Sequence, residues 1–165
     1  MKTRNAHRQA GFTLVELIVV ILILGILSAL ALPKFINMGS DARTAKIQAI
    51  YGSVRAASQI VHAAAVVRNQ LGATGSVVVD NTSITTVYGY PDLTTATGIV
   101  FAAGLDTNTT AASNQDQVTL DTTTLAGTLY IEPNGSTTMA SCKVTYTPAA
   151  SATVPPVISV TTSGC

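Results

Sequence analysis

"GFTLVELIVVILILGILSALALPKF", residues 11–35, decides how the rest of the chain is read. From Phe12 to Leu32 it is a run of 21 residues broken only by Thr13, Glu16, Gly25 and Ser28. At ~1.5 Å per residue a helix of that length spans roughly 31 Å, enough to cross the hydrocarbon core of a bilayer. Upstream lies a polar stub, residues 1–11, carrying Lys2, Arg4 and Arg8. A secretory signal peptide has the same basic-then-apolar order. The segment that follows here, "ALPKFINMG" (31–39), lacks the small-x-small cleavage pattern such a peptide needs. By the positive-inside rule the three basic residues of the stub keep the N-terminus in the cytoplasm and send everything after Pro33 across the membrane.

Glu16 is the anomaly in this run. A carboxylate in an apolar helix costs about 2.5–3.5 kcal/mol near the bilayer centre and less near an interface, so it calls for a partner. No Lys or Arg stands between Phe12 and Pro33. A cut after Gly11 would create a positive α-amino group at Phe12, four residues away, and the amine of a neighbouring copy would serve equally.

The stretch from Gly11 to Phe35 closely resembles the N-terminal signature of type IV prepilins. The resemblance implies cleavage between Gly11 and Phe12 by a membrane peptidase that also N-methylates Phe12, leaving the apolar segment attached as an assembly helix. It gives Glu16 the task of neutralising the amine of an adjacent subunit as a filament grows. Gly25 and Pro33 match the family's helix-softening positions. Physical chemistry supports a weak point there, because Gly costs about 1 kcal/mol and Pro about 3 kcal/mol in a helix interior; a kink or local melting is expected between them. Within the family, "TVYGYP" (86–91) and "CKVTYT" (142–147) look most like the branch that forms mannose-sensitive haemagglutinin pili.

Beyond Pro33 the apolar residues Ile47, Ile50, Val54, Ala57, Val61 and Ala64 recur in steps of three and four, one stripe of an amphipathic helix. That helix is expected to stop near Leu71 with Gly72 as its cap. After Gly72, β-branched residues and turn signals predict strands at "QVTL" (117–120), "TLYIE" (128–132), "MASCKVTYT" (139–147) and "VISVTT" (157–162), with "PNG" (133–135) as a tight hairpin turn. Between them "SVVVD" (76–80) reads as a strand, "TTVYGYPDL" (85–93) as a structured loop and "TATGIVFAAGL" (95–105) as a short helix. The expected fold is α+β, the type IV pilin fold: one long N-terminal helix, membrane-spanning in its first half, packed on an antiparallel sheet of about four strands. Its segments are a cleaved leader (1–11), the transmembrane and assembly segment (12–33), the amphipathic half of the helix (34–72), a connecting region (73–116) and the sheet (117–165).

Charged residues make up 10% of the chain, well below the roughly 25% of an average soluble domain. Loss of Lys2, Arg4 and Arg8 with the leader turns a formal charge of +1 into −2 and leaves no basic cluster to track a phosphate backbone, which argues against nucleic acid as the main partner. Cys142 and Cys165, the only cysteines, lie on the exported side, where a disulfide is the natural state. In the pilin family such a C-terminal region is commonly displayed, which makes 143–164 the candidate contact region, with surface glycans as ligands.

No catalytic constellation, metal cluster or cofactor motif is apparent. His62, alone once His7 leaves with the leader, reads as a solvent-facing helical residue, and "DTNTT" (106–110) as a polar loop rather than a calcium site. The sequons at Asn81, Asn108 and Asn134 follow a eukaryotic rule that need not apply. The resulting expectation is a non-enzymatic subunit, held in the bacterial inner membrane as a precursor. The assembly machinery then polymerises it into an extracellular pilus for attachment and biofilm formation. A pseudopilin of a type II secretion system is the alternative, and a membrane-anchored enzyme ranks last.

Overall fold

The computed structural model describes residues 12–93, 97–105, 118–121, 127–134 and 139–165, with the backbone alone described at 32–37. The chain divides into two units, one ending at Gly39 and the other running from Ser40 to Cys165. Helix α1 (Leu14–Val67) contributes to both. Its helical hydrogen bonding continues through Gly25 and Pro33, so the expected local melting is not a gap in the structure. Proline removes one i→i−4 bond, and the strong helix formers around it keep the remainder.

In the first unit the apolar side chains remain exposed on every side of the helix, as at Leu14, Leu22 and Ile26. In the second, α1 turns a single stripe inward, and that stripe serves two sheets. Ile47, Ile50, Val54 and Ala57 join Val118, Leu129, Ile131, Val144 and Tyr146 in one buried cluster. Val61 and Ala65 join Val77 and Ile84 in another. The deepest residue of the last turn is thus Ala65, while the expected Ala64 is only partly buried.

The helix ends four residues earlier than Leu71. Asn69 takes a left-handed conformation at φ 53°, its N–H donates to the Val66 carbonyl (3.2 Å), and the Gln70 N–H donates to the Ala65 carbonyl (2.8 Å). This is a Schellman cap with Asn in the position usually given to Gly. Gly72 is not the cap.

The connecting region holds a sheet of its own, which the sequence reading did not foresee. Strands β1 (Gly75–Val79), β2 (Thr82–Val87) and β3 (Tyr90–Pro91) pair antiparallel in the order β1-β2-β3. Both of its turns have two residues: Asp80–Asn81 at φ 47° and 64°, and Tyr88–Gly89 at φ 52° and 79°. Positive φ at both central positions is what a type I′ hairpin requires. "TTVYGYPDL" is therefore part of a hairpin rather than a loop. The short helix expected at 95–105 is a single turn, α2 (Ile99–Ala102), whose Ile99 and Val100 enter the larger cluster.

The second sheet, β4 (Val118–Asp121), β5 (Leu129–Pro133), β6 (Lys143–Thr147) and β7 (Val157–Thr161), is antiparallel in that order. Its four strands overlap those the sequence placed, except that the third begins at Lys143, the expected Met139–Ser141 portion forming a 3-10 turn instead. "PNG" does not close a tight hairpin: β5 and β6 are joined by residues 134–142, which include a 3-10 turn at Met139–Ser141. The loop "DTNTT" and Asn108 lie outside the described residues.

Candidate functional site

Thr13 and Glu16 begin α1 as a reciprocal pair. The Thr13 hydroxyl accepts from the Glu16 backbone N–H at 3.3 Å, while Glu16 Oε2 accepts from the Thr13 backbone N–H and from its hydroxyl, both at 2.9 Å. That is a capping box, and it satisfies donors that the first turn of a helix leaves without intrahelical partners. The arrangement answers part of the question that Glu16 raised, because the carboxylate has polar partners within its own chain. It also holds the carboxylate at the N-terminal end of the helix, beside Phe12, where the partial positive charge of the helix dipole is greatest. The signal was readable: a Thr three residues before a Glu, at the head of an apolar run, is the sequence form of this cap.

The helix that follows is long and apolar enough to cross a membrane, with an 18-residue window from Leu14 to Ala31 of mean hydropathy 2.9. Phe12 is 93% exposed beside the capping box. Gly11 lies outside the described residues. A helix apolar on all sides is stable only among apolar neighbours, lipid tails or other helices.

At the other end of the chain the expected disulfide is present, with Cys142 and Cys165 Cα atoms 4.9 Å apart. The C-terminal residue is tied a second time by Arg43 of α1, whose Nε donates to the Cys165 carbonyl at 2.7 Å. The region 143–164 is not a free loop, since β6 and β7 account for nearly half of it and Val144 and Tyr146 face the core. Its exposed part is the outer strand β7, with Thr161, and the connection 148–156 apart from the buried Ala149. Beside it on the sheet, the Lys143 ammonium lies 4.1 Å from the centroid of the Tyr130 ring.

Tyr146 couples the two sheets. Its ring is fully buried and its hydroxyl donates to the Pro91 carbonyl of β3 at 2.5 Å. Burial pushes the phenol above its ordinary range, against a hydrogen bond with the Ser58 side chain that acts in the other direction. His62 is half-buried rather than solvent-facing: its ring stacks on Tyr90, centroids 3.9 Å apart and planes within 2°, with Nδ1 3.3 Å from the Gly89 carbonyl. Gly89 permits this contact, because a Cβ there would meet Leu71 Cδ2 at 2.6 Å on a backbone already at positive φ. Among the described residues no group of three His, Cys, Asp or Glu side chains is placed to hold a metal.

Residues 6–32 match the prokaryotic N-terminal methylation motif. The match lies on the head of the capped, membrane-length helix and does not extend into the sheets. Among curated proteins the chain is similar to the type IV narrow pilus major component PilA5 of Thermus thermophilus, 45% identical over 53 residues, which are 32% of this chain and 46% of that relative. It is also similar to the type IV major fimbrial protein FimA of Dichelobacter nodosus, 39% identical over 49 residues, 30% of this chain and 31% of that relative. The chain thus spans less than half the length of each of these relatives. No solved structure matches it.

Proposed function

We propose that this chain is the structural subunit of a type IV pilus. It is made as an inner-membrane precursor, cut between Gly11 and Phe12 and N-methylated on Phe12 by a prepilin peptidase. The assembly machinery then draws it into an extracellular filament of identical copies. The observation that carries the reading is the capped carboxylate heading a helix apolar all round, within the segment that matches the methylation motif. In the membrane the apolar surface meets lipid; in a filament it meets the same surface of other copies. Glu16 then has two roles: it caps its own helix through Oε2 and neutralises the amine of the adjacent subunit, which no other acidic residue between Phe12 and Met38 can do. Gly25 and Pro33 soften the helix so that it can bend during that transfer.

The filament attaches cells to surfaces and supports biofilm formation, with the exposed parts of 143–164 as the contact region. The blocks "TVYGYP" and "CKVTYT" favour the mannose-sensitive haemagglutinin branch. The relatives are pilus and fimbrial components, in keeping with a pilin, and a pseudopilin of a type II secretion system is the alternative.

Mass spectrometry of purified surface filaments tests the reading. The expected first residue is Phe12, heavier by one methyl group; assembled subunits that retain residues 1–11 would overturn the pairing of Glu16 with an amine. In the same strain Glu16→Val leaves the membrane level of the chain unchanged and sharply lowers filament yield. Normal piliation by that variant rules out the charge pairing.

A further inference from the structure

We propose that a cleft between α1 and the β6–β7 connection binds a small acidic sugar, its carboxylate on Arg55 and its ring against the tyrosines that line the cleft. The cleft has a volume of about 370 Å³, within the ~300–1,000 Å³ of small-ligand pockets. It lies wholly within the unit from Ser40 to Cys165.

Sequence spacing builds one wall. Tyr51, Arg55, Ser58 and Gln59 recur at intervals of three and four along α1 and so share one side of the helix. Tyr90, at the start of β3, contributes a second aromatic ring, which its stack on His62 fixes in place. Across from the helix, Pro155 and Pro156 form a rim whose backbone is stiffened by two pyrrolidine rings. Ser58 is 2% exposed and its hydroxyl is engaged with Tyr146, so the floor is anchored to the core.

These groups select a ligand class. Aromatic faces pack against the C–H-bearing face of a pyranose, and the Gln59 amide and tyrosine hydroxyls offer donors and acceptors for its hydroxyl groups. Arg55 is exposed and supplies the planar fork of donors that fits a carboxylate with two parallel hydrogen bonds. None of the described lining residues is acidic, so a cationic ligand finds no counter-charge and an anionic one meets no opposing carboxylate. A uronic acid satisfies both halves of the cleft; a neutral hexose uses only the aromatic half and a simple carboxylate only Arg55. The inference rests on the pilus reading in one respect, that repetition along a filament multiplies a weak site into firm attachment.

Saturation-transfer NMR on the full chain in detergent micelles tests it, with D-glucuronate, D-glucose and acetate as probes. Glucuronate receives saturation on its ring protons and binds about tenfold more tightly than either glucose or acetate, the factor expected for one charge-assisted contact. Arg55→Gln, at an exposed position, reduces glucuronate binding by a similar factor without moving the thermal unfolding midpoint. Equal binding of glucose, equal binding of acetate, a glucuronate signal unaffected by Arg55→Gln, or no signal at all each overturns the proposal. So does a change of oligomeric state in the Arg55→Gln chain without glucuronate binding, which makes the cleft a contact between copies. The filament mass spectrum decides the pilus reading independently of these titrations.

Discussion

Between Leu14 and Ala31 the apolar side chains of α1 surround the helix and stay exposed, whereas between Ile47 and Ala65 most of them, though not Ile60, fall on one stripe and are buried against two sheets. The helix is continuous and its residue types overlap, so secondary structure alone does not separate the two stretches. Solvent does. A stripe is satisfied by the chain's own sheets, but an all-round apolar surface has to be covered from outside the chain. Stability of the globular unit and the apolar surface left for an outside partner, the filament under the proposed function, are therefore written into different halves of one helix, and substitutions should divide accordingly.

The largest separation is expected from equal truncations in the two halves. Ile47→Ala removes fully buried atoms and should destabilise the globular unit by about 2–5 kcal/mol. Leu22→Ala, at a side chain 60% exposed, should leave the unfolding of the sheets unmoved. Thermal unfolding of the full chain in detergent, followed by circular dichroism, compares them directly. A comparable fall for Leu22→Ala breaks the division.

Next comes the disulfide, whose two cysteines are 23 residues apart. Replacing both by Ser should cost about 3 kcal/mol in the chain-entropy model. Hydrogen exchange should then show β7 losing protection first, because among the described residues β6 is its sole strand partner. Residual order near Cys165 is expected from the Arg43 bond, and adding Arg43→Gln should remove it.

A smaller effect belongs to Tyr146. Its hydroxyl bonds to the Pro91 carbonyl, so Tyr146→Phe leaves an acceptor behind and should cost roughly 1–2 kcal/mol. Burial holds this phenol above its ordinary value. The folded chain therefore keeps a proton that the unfolded chain loses near the ordinary tyrosine pKa of about 10. The associated stability is complete below that pH and declines as pH rises beyond it. Urea titrations between neutral and alkaline pH should show this decline in the native chain and a flatter profile in Tyr146→Phe.

The sequence made some of this plain and concealed the rest for physical reasons. The stripe Ile47, Ile50, Val54, Ala57, Val61 was legible because burial against a sheet imposes a helical period on apolar residues. The four strands of the larger sheet were legible because β-branched residues cluster in them. Of the smaller sheet only β1 was legible, in "SVVVD"; the rest was not, since its turns rest on Asp80, Asn81 and Tyr88 at positive φ, and a tyrosine in that conformation gives no compositional signal. Asn69 displaced Gly72 as the cap for a related reason: a left-handed Asn is tolerated when its neighbours' hydrogen bonds close the Schellman motif. His62 looked like a surface residue until the Tyr88–Gly89 turn brought Tyr90 over it, a contact between positions 28 apart that no local pattern encodes.

The smallest effect tests the head of the exposed half. Thr13 closes the capping box with Glu16, and replacing an N-cap Thr by Ala typically costs about 1 kcal/mol. Because the first turn of α1 is remote in sequence from every residue of either core cluster, Thr13→Ala should leave the unfolding midpoint of the sheets alone and fray only residues 13–16. Fraying frees the Glu16 carboxylate from its fixed place beside Phe12, so filament yield should fall, though less than in Glu16→Val, where the charge is gone. Thr13→Ser keeps a hydroxyl at the same spacing and should restore the yield. Amide exchange at residues 13–17 in micelles, read beside filament yield in cells, separates the outcomes. Loss of protection with undiminished yield would mean that the cap serves the helix alone, whereas parallel losses tie the geometry of the cap to assembly.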